Sequence, residues 1–133
     1  MNRWNPPVAT TRKEQLLLKR LTRTKKLFAF LRLHRHELFN DEFQAELEGM
    51  YRRTGAGCEP LPPATLCMLS LLQAYTSTSD AEAVELTVVD ARWQMVLDCL
   101  GAEEPLVSQG SLPAFRGRLI QAGPQRHLAG SNV

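Results

Sequence analysis

Asp80, Glu82 and Glu85 place three carboxylates within six residues, a density that could hold a divalent cation. The same residues follow Ser79, and Ser79-Asp80-Ala81-Glu82 fits a capping box: the Ser79 hydroxyl accepts from a first-turn amide while Glu82 reaches back to the Ser79 N–H. Acids are favoured in a first helical turn by the partial positive charge there, so the three read as the solvated start of a helix. Cys99, near Trp93, would be a nucleophile only with a base placed to lower its thiol pKa, and without one it reads as a small buried hydrophobe. His34 and His36 are two apart and leave a helix in different directions, which speaks against a shared metal. A P-loop, a dinucleotide fingerprint, a G-x-S-x-G elbow and an H-E-x-x-H pair are all missing from the sequence. The chain is therefore expected to be non-enzymatic, with no cofactor and no metal.

The chemistry that the sequence does suggest is non-covalent. Residues 1–36 carry ten Lys or Arg against the single acid Glu14, a local charge of +9, and the remaining six basic and thirteen acidic residues give −7. A basic segment joined to an acidic body steers toward polyanions, although the same separation serves contact between subunits. Arg12, Lys13, Lys19, Arg20, Arg23, Lys25, Lys26, Arg32 and Arg35 are the candidates to neutralise phosphates of double-stranded DNA. A second candidate region is Ser108, Gln109 and Ser111 with Arg116 and Arg118, where short polar groups near a helix start could act as in a recognition helix. Ser108 and Ser111 read equally as helix caps, and Arg116 as a partner for an acid within the fold. The rival reading is an interaction or dimerisation domain without a direct DNA role. In that reading the leucine-rich first helix and exposed aromatics such as Trp4 or Phe28 hold a homo-oligomer together.

Helices must position these residues. Residues 1–11, with Pro6-Pro7, read as a flexible lead-in. Residues 12–33 read as one or two basic amphipathic helices, with Leu17, Leu21 and Phe28, and Leu27, Phe30, Leu31 and His34, at helical spacings. Asn40 marks a fresh start for a helix carrying Phe43, Leu47, Met50 and Tyr51, which ends before Gly55-Ala56-Gly57. Pro62-Pro63 opens a nearly all-buried helix over Ala64–Tyr75. A helix then begins at Ser79, with a short strand competing only at Thr87-Val88-Val89, and near Asp90 another takes over and stops at Gly101. A final helix capped by Ser111 carries Leu112, Phe115 and Leu119, and a flexible tail follows Gly123-Pro124, over 123–133. The expected fold is all-α: a compact multi-helix domain over residues 12–122 with five to seven helices and a helix-turn-helix-like C-terminal part.

The chain is 133 residues long, 44% hydrophobic and 23% charged, which suits one domain with its own core and is too short for a large enzyme architecture. Three widely spaced cysteines, Cys58, Cys67 and Cys99, argue for free thiols in a reducing compartment. No apolar leader or membrane-length run is visible, so the cytoplasm is the expected location, without a membrane partner.

Four blocks in order carry a resemblance. They are Pro62-Pro63-Ala64-Thr65-Leu66 to Leu71-Leu72-Gln73-Ala74-Tyr75; Ser79-Asp80-Ala81-Glu82-Ala83-Val84-Glu85-Leu86; Asp90-Ala91-Arg92-Trp93-Gln94; and Phe115-Arg116-Gly117-Arg118-Leu119. Together they resemble the N-terminal domain of DDE-type insertion-sequence transposases, the InsH-like group, over about Phe28 to Ile120. In that family the domain precedes an RNase H-like catalytic domain and is associated with transposon-end binding and subunit assembly. The resemblance implies a truncated, decayed or separately encoded N-terminal fragment without the metal-binding catalytic triad, for which Asp80, Glu85 and Asp90 are not substitutes. It also implies a full-length transposase as a possible partner.

Overall fold

The computed structural model describes residues 3–21, 26–53 and 61–131, with side chains described over 3–21, 26–52 and 61–122. The described residues form seven helices and no strand: α1 Arg12–Arg20, α2 Lys26–Leu38, α3 Asp41–Arg53, α4 Pro63–Thr76, α5 Asp80–Val89, α6 Ala91–Val96 and α7 Ser111–Ser131. The fold is all-α, and the basic stretch forms two helices.

Local chemistry sets most of the starts. Thr11 and Glu14 make a full capping box: the Thr11 Oγ1 accepts from the Glu14 N–H at 3.2 Å, and Glu14 Oε1 accepts from the Thr11 N–H at 2.9 Å. Asn40 Oδ1 accepts from the Phe43 N–H at 2.9 Å to start α3, and Asp90 accepts from the Arg92 N–H at 2.8 Å to start α6. Pro63 is the first residue of α4, where its missing N–H costs nothing. Ser79 accepts from the Glu82 N–H at 3.1 Å, while the Glu82 carboxylate meets the Ser79 hydroxyl at 3.4 Å rather than the Ser79 N–H. The Thr87-Val88-Val89 stretch stays helical.

The core gathers around α4, which packs against α3, α5 and α7, while α6 packs against α2 and α5. Leu66, Met68, Leu69 and Leu72 of α4, Trp93, Met95 and Val96 of α6, and Leu112 and Phe115 of α7 are buried in it. Tyr75, expected inside with the rest of α4, is 66% exposed at the last turn.

Several boundaries differ from expectation. The helix that starts at Asp90 ends at Val96, well before Gly101, because Asp98 adopts φ +60° and Gly101 φ +89°. The side chain of Gln94 holds that turn: its Nε2 lies 2.9, 3.1 and 3.0 Å from the carbonyls of Thr87, Val88 and Ala102, and its Oε1 accepts from the Gly101 N–H at 3.2 Å. Ser111 is the first residue of α7 and not its cap; the Gly110 carbonyl accepts from Ala114 at 3.3 Å. The α7 backbone continues through Gly123-Pro124, although an internal proline removes an amide donor and crowds the carbonyl four residues back. Residues 97–110 join α6 to α7, a connection much longer than the three or four residues of a helix-turn-helix.

The segment before α1 is docked. The Trp4 N–H donates to Gln44 Oε1 and the Trp4 carbonyl accepts from Gln44 Nε2, both at 2.8 Å, and Arg3 donates to Glu48 at 2.8 Å. Trp4 and Phe28 are buried at 7% and 3%, so neither is the exposed aromatic that the dimer reading needs.

Candidate nucleic-acid interface

Position on α1 decides which cations face outward. Glu14 turns inward, while Arg12, Lys13, Leu16, Lys19 and Arg20, at i, i+1, i+4, i+7 and i+8, share the opposite face and are all exposed. Four cationic side chains therefore surround an exposed leucine on one helical surface. Lys26 is exposed at the start of α2, and Arg23 and Lys25 lie outside the described residues.

Arg32 and Arg35 do not belong to this surface, which corrects their assignment as phosphate contacts. Both are 1% exposed, because Phe28, Leu31, Arg32 and Arg35 fall on the buried face of α2, while Phe30 and Leu33 point outward. Arg32 Nε donates to Glu14 Oε2 at 2.6 Å, and Arg32 Nη2 donates to Glu14 Oε1 at 3.2 Å and to the Ala9 carbonyl at 2.9 Å. The Val8 carbonyl accepts from Nη1 at 3.4 Å. The Arg32 guanidinium, helped by the Thr11 amide, holds the Glu14 carboxyl down at about 2. Arg35 Nη1 donates to the Met95 and Val96 carbonyls at 2.9 and 3.1 Å, and Nη2 donates to the Pro7 carbonyl at 3.0 Å. Burial pulls Arg35 down to about 10, with the charge of Arg32 adding to the effect, and leaves it cationic at neutral pH. A buried charge must find partners of this kind.

The second region is divided in the same way. Ser108 and Gln109 are exposed, and the Ser108 and Ser111 hydroxyls sit 3.0 Å apart. Arg116 forks onto Asp80, with both Nη atoms 2.8 Å from separate carboxylate oxygens, and Gln73 Nε2 donates to Asp80 Oδ1 at 2.6 Å. Arg116 first and Gln73 second hold the Asp80 carboxyl at about 2. Arg118, two residues on, leaves α7 on another side and lies 4.9 Å over the Tyr51 ring of α3. The two arginines therefore point to different neighbours and do not form a common cationic surface.

Among the described residues, no three His, Cys, Asp or Glu side chains gather as a metal site, and no helix is long and apolar enough to cross a membrane. The residues that reading by type overlooked are Gln44 and Gln94, buried amides that fasten irregular segments. Their signal is a glutamine in register with apolar neighbours.

The sequence profile of a transposase domain, DUF772, matches residues 16–118 of the chain. No curated protein and no solved structure matches it.

Proposed function

Because the chain belongs to the DUF772 transposase-domain family, which gives it a transposition-related role, we propose that it is a non-catalytic module that binds double-stranded DNA at transposon ends. In this reading it is related to the N-terminal domain of the InsH-like DDE transposases. The observation that carries the reading is the outward face of α1, where Arg12, Lys13, Lys19 and Arg20 are exposed together. Cations at this spacing neutralise phosphates and release condensed counterions, so binding weakens steeply with salt. Such contacts position the duplex without reading bases. Ser108 and Gln109 are the exposed polar groups left to add sequence preference. Occupying ends in this way competes with a full-length transposase.

The test is fluorescence anisotropy on pooled duplex fragments across a salt series, with Arg12, Lys13, Lys19 and Arg20 changed to Ala in a parallel sample. Tight binding at low salt is expected. The slope of log K against log salt should fall by about 0.9 for each phosphate contact removed. A folded protein that binds no duplex at low salt, or a variant with an unchanged slope, refutes the proposal.

A further inference from the structure

The outward face of α2 is a surface of a different kind. Lys26, Phe30, Leu33, His34 and Glu37 lie at i, i+4, i+7, i+8 and i+11, the spacing of a packing seam, on the side away from buried Phe28, Leu31 and Arg35. Phe30 is 51% and Leu33 46% exposed. The Phe30 ring lies against His34 at 4.5 Å between centroids, and His34 Nδ1 is 3.4 Å from Glu37 Oε1, so the face is held in shape.

We propose that this face binds the α2 of a second copy of the chain, antiparallel and about a two-fold axis. Setting Phe30 opposite Leu33 of the second copy brings Lys26 opposite Glu37 and Ala29 opposite His34. All three pairs are equidistant from the midpoint between Leu31 and Arg32, so each occurs twice, as a two-fold interface requires. Four apolar side chains then sit at the centre, with a Lys–Glu pair at each end. A parallel pairing would set Lys26 against Lys26 and Glu37 against Glu37, which the charges oppose. One helix pair is a small contact, so the association is weak and concentration-dependent. The inference goes beyond the DNA reading and does not rest on it.

The experiment is sedimentation equilibrium of the full chain without DNA, from micromolar to near-millimolar concentration. A monomer–dimer equilibrium is expected. Phe30→Glu with Leu33→Glu should abolish it while the helical circular dichroism is retained, because both positions face solvent. Lys26→Glu and Glu37→Lys should each raise the dissociation constant about tenfold, and the two together should restore it. A monomer at every concentration, or a dimer indifferent to Phe30 and Leu33, overturns the proposal. If the double charge exchange fails to restore association, the antiparallel register is wrong.

Discussion

Replacing Glu14 by Gln removes one negative charge from a buried ion pair while keeping the side chain's shape and an oxygen that accepts from the Thr11 amide. The capping geometry survives, so the loss isolates the pairing with Arg32. The Glu14 carboxyl sits at about 2 instead of the ordinary 4.5. At about 1.4 kcal/mol per pH unit, that fall corresponds to about 3 kcal/mol of stability. Removing one partner of a buried pair costs about 3–5 kcal/mol by the independent measure of an uncompensated buried charge. Against a total of roughly 5–15 kcal/mol for a domain, the change is large. A carboxyl held low contributes fully above its unfolded value and loses the contribution as pH falls through its folded value. The gap between native and variant should therefore be complete at pH 7, shrink below about 4.5 and vanish near 2. Urea unfolding followed by circular dichroism at several pH values measures it. A gap under about 0.5 kcal/mol at pH 7, or one that stays constant as the pH is lowered, refutes the assignment, because surface changes fall in that range.

Gln94→Leu should destabilise by about 2–3 kcal/mol, since it leaves the Gly101 amide and the carbonyls around it without their side-chain partner; thermal unfolding reads this directly. Ser77→Gly should stabilise by about 1 kcal/mol, because Ser77 ends α4 at φ +55° and glycine adopts that conformation without strain; a rise in the urea midpoint with unchanged slope is the sign. Burial pushes Cys67 up to about 11, and burial with the charge of Asp98 does the same for Cys99. Both thiols should resist iodoacetamide at pH 8 in the folded protein and react in urea, as peptide mass spectrometry will show.

The starts of α1, α3, α4 and α5 were legible because each is written within four residues: Thr11 to Glu14, Asn40 to Phe43, Pro62 to Pro63 and Ser79 to Glu82. The roles of Arg32 and Arg35 were not. By residue type they match Arg20, and their partners lie 18 to 61 positions away, at Glu14 and the end of α6. One local clue existed: Phe28, Leu31, Arg32, Arg35 and Phe39 share a helical face, and an arginine on an apolar stripe is drawn inward. Of the two sets at helical spacing, the one with Phe28 marks the buried side of α2, while Leu27, Phe30, Leu31 and His34 include the exposed Phe30 and lie on a side from which Arg32 would point outward. The end of α6 was hidden for a related reason, since a side chain, Gln94, replaces the local turn signals that a sequence displays. The α1 candidates held their place as exposed groups because Glu14, the one acid among them, marks the inward side.

The hydrogen bonds from the buried arginines to the chain before α1 all go to its main chain, to the carbonyls of Pro7, Val8 and Ala9, while the Arg35 guanidinium also lies 5.9 Å from the centroid of the Trp4 ring. Every amino acid carries that oxygen, and these three side chains face solvent. Substitutions at positions 7 to 9 should therefore be tolerated widely, while Arg32 and Arg35 admit almost none. A saturation library scored for folding would show the two ends of the same hydrogen bonds as opposites, one indifferent to residue identity and the other fixed by it.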